Sequence, residues 1–577
     1  MTPPPGLGRQ VGRGLAWGSA GSVVLRFGNV LVGIVLARLL APEDFGVFAI
    51  ALAVQGVLVT VVDLGLSADL VRSREPRRLE PTVATISLVL GALLAGAMAA
   101  TAQPVARALG SDRAAPVIAV LAATLVVSAA GVVPYARLQR GFQQREIFAT
   151  GLVDLVVGTV VTVLLVRAGW GPMALAVSRL VAQPAATGAQ FLLSRTVPRF
   201  GYDPALARGA IAYGAPLAGA NLLSIALLAV DKVVLARGAG EVALGYYVLA
   251  FNVASWPMTV IGQTVRPVAL AAFARLDGRA GAGSGPPGGG GAGDGDRGPD
   301  GGVDASDGGL ALATRLTWAA AVPVACLLGA LSLPVVTLLY GGRWAPAAGA
   351  LAALAAFGAL RVLFDLFATY LIARGATRPV LGVQVAWLVA LVPAVVVGAR
   401  AGGSAGVGWA HVVVAGVVVL PLYLVAVRRS GADLRALARA TWLPLLAAAP
   451  TVAAAALVAR QVGGAFGALV AGGAAGALVY VAVAGRPLLR DLRAARAPVP
   501  PVDPSGAPSV AGPVDPSVAP PDAGPVAASG ALPVAPPVAP RVGASAARPA
   551  PAAARAADPA VRPAPAAARP ADPERVP

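Results

Sequence analysis

Residues 22–51 read SVVLRFGNVLVGIVLARLLAPEDFGVFAIA, and this stretch decides the fold. It is an apolar run with one arginine at its middle, a short charged turn, and the start of a second apolar run. Ser22, Arg26, Asn29 and Gly33 fall on one side of a helix of 3.6 residues per turn. A guanidinium facing lipid at mid-membrane is costly, so this side is expected to face a cavity or other helices. The same hairpin recurs later. VLARLLAPEDFGVF at Val35–Phe48 aligns without gaps on VLARGAGEVALGYY at Val234–Tyr247, an offset of 199 residues. Val, Leu, Ala, Arg and the later Gly coincide. An internal repeat built on membrane hairpins is a feature of transporters.

Working outward, the 577 residues are 57% hydrophobic and 12% charged, with a mean hydropathy of +0.76. That composition excludes a soluble globular protein. Apolar runs of roughly 20 residues, each long enough to cross a bilayer, recur along the chain. About fourteen are expected, all helical, because backbone polar groups inside lipid must be satisfied within the chain. The first is too long for a secretory signal and carries Arg26, so it reads as an uncleaved helix. The formal net charge of +18 comes almost wholly from arginine. With the N-terminus cytoplasmic, the arginines gather in inner connections, at Arg72, Arg74, Arg77 and Arg78, at Arg137, Arg140 and Arg145, and at Arg428, Arg429, Arg435 and Arg439. This places both termini in the cytoplasm of a multi-pass plasma-membrane protein and gives the charge a membrane role, with no nucleic-acid partner.

The domain reading follows. Residues 1–14 form a cytoplasmic start, 15–194 a six-helix lobe, 195–208 a cytoplasmic linker, and 209–427 a second six-helix lobe. The second lobe is interrupted by a Gly/Asp-rich loop at 277–309. Two additional helices occupy 428–490, and 498–577 form a disordered Pro/Ala-rich cytoplasmic tail. Outer loops are too short to fold into a domain, which argues against an enzyme working on that side. The chain carries no phosphate loop, no paired catalytic carboxylates and no Ser/His/Asp set. One cysteine, Cys326, excludes an intramolecular disulfide, and one histidine, His411, leaves no zinc or redox site. No cofactor, no metal and no catalytic residue are expected.

Polar residues inside the apolar runs are the candidate sites. Asn252, Ser255, Thr259, Gln263 and Arg266 form one stripe beside Pro257. Arg26 either shapes the electrostatics of a cavity or pairs structurally with Asp63 or Asp154. Arg266 lies near the cytoplasmic end of its run, where snorkelling is the alternative. Arg361 and Asp365 are one turn apart and can neutralise each other or serve a site. Asp231 and Lys232 read as boundary residues closing a span near the outer surface, and His411 as a packed histidine. The candidate substrate-binding set is therefore Arg26, Asn29, Asn252, Gln263, Arg266 and Arg361. Asp63, Asp154 and Asp365 are candidates for coupling or structural pairing.

The opening pattern, above all A-R-L-L-x-P-E-D-F-G at Ala37–Gly46, resembles bacterial polysaccharide transporters of the Wzx type. These are oligosaccharide-lipid flippases of the MATE-related MOP exporter superfamily. The resemblance covers about residues 10–490. It implies two lobes of six helices related by a twofold axis along the membrane normal, plus two extra helices. It further implies an undecaprenyl-diphosphate-linked oligosaccharide as substrate, moved from the inner to the outer leaflet past a cationic cavity. Arg26, Arg266 and Arg361 are the residues able to supply that charge. Membrane lipids, and glycosyltransferases or a polymerase of the same pathway, are the implied partners. The Gly/Asp insertion and the near absence of lysine depart from typical members. A multidrug or metabolite antiporter of the related class is an alternative, as is a non-transporting scaffold of cell-envelope assembly recruited through the tail. An antiporter for cations would want an acidic cavity, whereas the excess here is arginine.

Overall fold

The computed structural model of the protein describes residues 7–197, 199–282 and 304–496. Helices account for the fold, and no strand occurs among the described residues. The tail at 498–577 and the central part of the Gly/Asp-rich loop lie outside the described residues. So do the side chains of Gln263 and Arg266.

The first half of the chain comprises α1 (Leu7–Leu39), α2 (Pro42–Asp63), α3 (Leu66–Arg72), α4 (Pro76–Ala100), α5 (Ala102–Ala108), α6 (Ala114–Arg140), α7 (Gln144–Arg167) and α8 (Pro172–Ser194). Proline begins α2, α4 and α8, where its missing N–H costs nothing and its fixed φ suits the first turn. Asp44 in the first turn of α2 accepts from the Ala41 amide at 3.4 Å. The turn between α2 and α3 places Leu64 and Gly65 in the left-handed region, which ends the helix sharply.

The second half comprises α9 (Pro204–Ala282), α10 (Asp304–Ala330), α11 (Ser332–Tyr340), α12 (Ala347–Ala373), α13 (Thr377–Val414), a π-helical turn at Ala415–Val419, α14 (Leu420–Arg429), α15 (Leu434–Gln461) and α16 (Ala465–Arg496). Two of these fold back on themselves. α9 breaks at Gly240, with φ 83° and ψ 175°. The side chains of Asp231 and Tyr247, sixteen residues apart, meet across that break. α13 breaks at Gly402 and Gly403, and Gly398 and Gly406 touch each other's backbone four residues to either side. The break leaves one limb before residue 402 and another after residue 403. α1 begins at Leu7, inside the segment read as a cytoplasmic start. α9 and α10 both extend into the 277–309 loop.

Eleven stretches among the described residues are long and apolar enough to cross a membrane, so the chain is a multi-pass membrane protein. One of them, Thr377–Arg429, is 53 residues long and contains the Gly402–Gly403 break. Burial is deepest in α12, where 67% of the membrane window is enclosed by the rest of the protein. α12 packs on α9, α10 and α13, and α2 packs on α9 and α6. Small residues permit these approaches; in lipid, close backbone contact replaces the hydrophobic drive available in water.

Candidate functional site

The two copies of the repeat meet each other. A Cβ on Gly46 would lie 1.9 Å from the carbonyl oxygen of Glu241, and a Cβ on Gly245 would lie 1.9 Å from that of Pro42. Shifted by the repeat offset, Pro42 becomes Glu241 and Gly46 becomes Gly245. The contact is therefore reciprocal, as at a twofold axis. Only glycine fits at either position.

Further contacts close the same end of the bundle. Arg113, preceding α6, reaches Glu241 Oε1 at 3.1 Å and Asp44 Oδ1 at 3.4 Å, tying the two repeats through one guanidinium. Ser111 Oγ donates to Glu241 Oε2 at 2.6 Å. Arg38, at the end of α1, donates to the Leu338 and Leu339 carbonyls at 2.6 and 2.9 Å, capping α11. Arg343 returns the arrangement by donating to the Arg38 and Leu40 carbonyls. A cation over the last carbonyls of a helix satisfies orphan acceptors and opposes the negative end of the dipole. Between the two arginines Trp344 is fully buried; its Nε1–H donates to Ala37 O at 2.7 Å, and its ring meets Phe45 edge-on at 5.3 Å.

The opposite end is held differently. Arg137 grips Glu80 with both guanidinium arms, at 2.6 and 2.7 Å. Arg140 donates to the carbonyls of Leu70, Val71 and Ser73, capping α3. Arg72 pairs with Asp69 and stacks on Tyr213. Two of the arginine clusters that suggested an inner surface thus also cap or brace helices.

The candidate residues are distributed as follows. α1 packs on α7 through Gly21, Leu25 and Gly28, against Phe148, Gly151 and Leu155. Val23, Val24, Phe27 and Leu31 form a separate exposed apolar face. Ser22, Arg26 and Asn29 are also exposed, but by helical spacing they lie between these two faces rather than among the apolar residues. Asn29 donates to the Leu25 carbonyl. Asn252 is exposed on α9. On α12, Arg361 is half-buried and Asp365 exposed, in a helix otherwise mostly enclosed. Asp63 accepts from Ser67 N and Oγ at 3.3 and 3.0 Å, a bond local to the α2–α3 turn. Asp154 is exposed on α7, one residue before the Leu155 that packs on α1.

Asp231 differs from its reading as a boundary residue. Burial leaves it 1% exposed, because α9 continues past it to Gly240 and folds back over it. Its partners are Tyr247 and His411. An aspartate–lysine pair between Val230 and Val233, with apolar residues continuing on both sides, was the available signal.

Comparison with known proteins supports a class on these grounds. Residues 35–281 match a family model described as Polysaccharide biosynthesis protein. The fold resembles that of the solved lipid II flippase MurJ in an inward closed conformation, with a TM-score of 0.65 at 13% identity, covering 82% of this chain and 99% of that one. It also resembles an inward-facing multidrug resistance MATE family transporter of the MOP superfamily, with a TM-score of 0.53 at 16% identity, covering 70% and 94%. The likeness to these structures is one of fold, a bundle of long apolar helices.

Within that class two relatives are closer in sequence. The succinoglycan biosynthesis transport protein ExoT of Rhizobium meliloti (strain 1021) is 27% identical over 347 residues, which are 58% of this chain and 64% of that protein. The lipopolysaccharide biosynthesis protein WzxC of Escherichia coli (strain K12) is 23% identical over 452 residues, 76% and 85% of the two chains. The chain is thus similar in sequence to proteins of polysaccharide transport and biosynthesis.

Proposed function

We propose that the protein flips a polyprenyl-diphosphate-linked oligosaccharide from the inner to the outer leaflet of the plasma membrane, by alternating access between two repeat-related lobes. The observation that carries this reading is the exposed polar face of α1, with Arg26 at its centre, set apart from the face that bears Phe27 and Leu31. A guanidinium in that position offers a planar fork for phosphate oxygens within a membrane-embedded surface. Arg361 on α12 and Asn252 on α9 are the residues that would carry the polar surface into the second lobe; Gln263 and Arg266 would prolong it along α9. The polyprenyl chain stays in lipid beside the lobes. No nucleotide site is needed, because an inside-negative potential favours an outgoing anion by about 2.3 kcal/mol per charge per 100 mV. The names of the relatives, a succinoglycan transport protein and a lipopolysaccharide biosynthesis protein, support a saccharide cargo.

The test is Arg26→Ala against Arg26→Lys in cells, at matched protein levels, with surface polysaccharide as the readout. Alanine should lower export about tenfold, the effect of ~1.4 kcal/mol on a barrier. Lysine, which keeps charge but loses the fork, should restore part of it. Normal export in the alanine variant removes Arg26 from the mechanism. Deleting residues 498–577 distinguishes a scaffold, which would fail, from a flippase, which would keep working.

A further inference from the structure

The segment that joins the two halves of the chain covers a cavity that the polar surface described above does not use. It runs from the end of α8 to the start of α9, and side chains of two helices hold it. Arg137 Nη1 donates to Thr196 Oγ1 at 3.5 Å, which fixes the near end to α6. The Gly201 and Asp203 amides donate to Oγ1 of Thr85 and Thr82 at 3.1 and 3.2 Å, which fixes the far end to α4. Between these points Arg199 and Phe200 line a cavity of about 160 Å³. Its helical walls include Ala84 and Leu88 of α4, Val133 of α6 and Phe191 of α8. Apolar cavities of about this size stay dry and accept a benzene-sized ligand. The hollow therefore suits one end of an acyl chain. Glu80, the acidic residue of the lining, is already held by both arms of Arg137.

The mouth of the cavity has the opposite chemistry. Leu192 is 80% exposed, Val197 72%, Phe200 62% and Tyr202 65%. Arg195, Arg199 and Arg208 stand exposed among and beside them. Arg72, Arg78, Arg137 and Arg140, at the same end of the bundle, are each engaged by the protein, on Asp69, Glu75, Glu80 and the α3 carbonyls. Arg195, Arg199 and Arg208 have no such partner among the described residues. Asp203, the acid of the same segment, accepts from the Ala205 and Leu206 amides and starts α9. Exposed aromatic and aliphatic side chains interleaved with arginines suit the level of lipid headgroups, where rings sit between tail and water and a guanidinium meets phosphate. Arg199 joins the two regions, because it lines the hollow and is open to the outside.

We propose that the cavity under this linker binds one anionic phospholipid of the membrane, with an acyl chain against Leu88, Val133 and Phe191 and the phosphate on Arg199. Arg195 and Arg208 add to the positive field at the mouth. A zwitterionic lipid fills the same hollow but brings its own cation to the arginines. The site is built on α4, α6, α8 and the linker, none of which carries Arg26, Asn252 or Arg361. It stands apart from the route proposed for the oligosaccharide carrier and does not depend on it.

The test uses the full-length protein in nanodiscs of equal phosphatidylglycerol and phosphatidylethanolamine with matched chains, read by native mass spectrometry. One phosphatidylglycerol should stay bound in preference to phosphatidylethanolamine. Arg195→Gln together with Arg199→Gln should lower that preference by about fivefold for each charge removed. Arg78→Gln, whose charge sits on Glu75 at the same end, should leave it in place. Ala84→Leu fills the hollow and should lower retention of both lipids. Equal retention of the two lipids by the wild type, or a preference that the arginine pair leaves untouched, overturns the site. An equal loss in Arg78→Gln overturns it too, since surface charge in general would then be the cause. Retention that Ala84→Leu does not change would leave a headgroup contact with no chain in the cavity, and the proposal fails. A second measurement needs no substitution. Phosphatidylglycerol carrying a diazirine at the end of one acyl chain, irradiated with the wild-type protein in the same discs, should crosslink on α4 near Leu88 or on α6 near Val133. Crosslinks confined to other helices overturn the site even where a variant fails to fold.

Discussion

Gly46 and Gly245 carry more of the architecture than any charged residue. Each lacks the one atom that would collide with the other repeat's backbone, and a carbonyl oxygen 1.9 Å away cannot swing aside as a side chain could. Gly46→Ala and Gly245→Ala should therefore each destabilise the protein by about 1–3 kcal/mol, the usual cost of overpacking. Gly56→Ala is the control, because a Cβ there meets nothing within 4 Å. Thermal melting of the purified protein in detergent checks this; equal melting of Gly46→Ala and Gly56→Ala would show that the crossing yields freely. The coincidence of these two glycines was legible in the sequence, since they align in the repeat. Their mutual contact was not, because an alignment fixes equivalence and leaves proximity open. Asp231 shows the opposite limit. Hydropathy alone places it at the end of a run, and only the fold-back at Gly240 reveals that α9 buries it.

Elements, more than single residues, explain how one end of the bundle is held. The α1–α2 turn was readable as short and charged, and its A-R-L-L segment as a family feature. What Arg38 does needed the fold, because its acceptors lie some 300 residues away on α11. The exchange of caps between α1 and α11 makes two helix ends into one joint, with Trp344 as its pin. Trp344→Phe keeps an aromatic ring against Phe45 and Tyr340 but removes the donor to the Ala37 carbonyl. That carbonyl is then left in a dry joint, at a cost of about 1–3 kcal/mol. The expected outcome is a lower melting temperature, with no equivalent loss for Trp442→Phe, a half-exposed tryptophan on α15. Equal losses would mean that ring volume, and not the hydrogen bond, secures the joint. Breaks inside long helices follow the same division. Gly402 and Gly403 separate two runs already distinct in the sequence, whereas the length of α1 beyond Leu7 was hidden by a basic, glycine-containing start.

At the scale of the molecule, these contacts lie at one end, where Arg113 joins Asp44 of the first repeat to Glu241 of the second. Each ion pair alone is worth little, because the guanidinium is half exposed. Reversing its sign is a different matter: Arg113→Glu sets three carboxylates together where like charges repel and drive the repeats apart. The crossing should then open more often. Val47, fully buried one residue beyond Gly46, is the reporter position. In a Cys326→Ala background, Val47→Cys should react slowly with a membrane-impermeant maleimide applied to intact cells. Adding Arg113→Glu should raise that rate about tenfold, the effect of ~1.4 kcal/mol on an equilibrium. The side from which the reagent works also reads the topology. We propose, from the arginine bias of the connections, that this end faces outside; labelling should then quicken on cells and not on inverted vesicles. Acceleration on inverted vesicles alone would turn the molecule over and reverse the direction of transport argued from the membrane potential. An unchanged rate on both sides would show that the glycine crossing and the arginine caps hold this end shut without Arg113, and that the ion triad only decorates it.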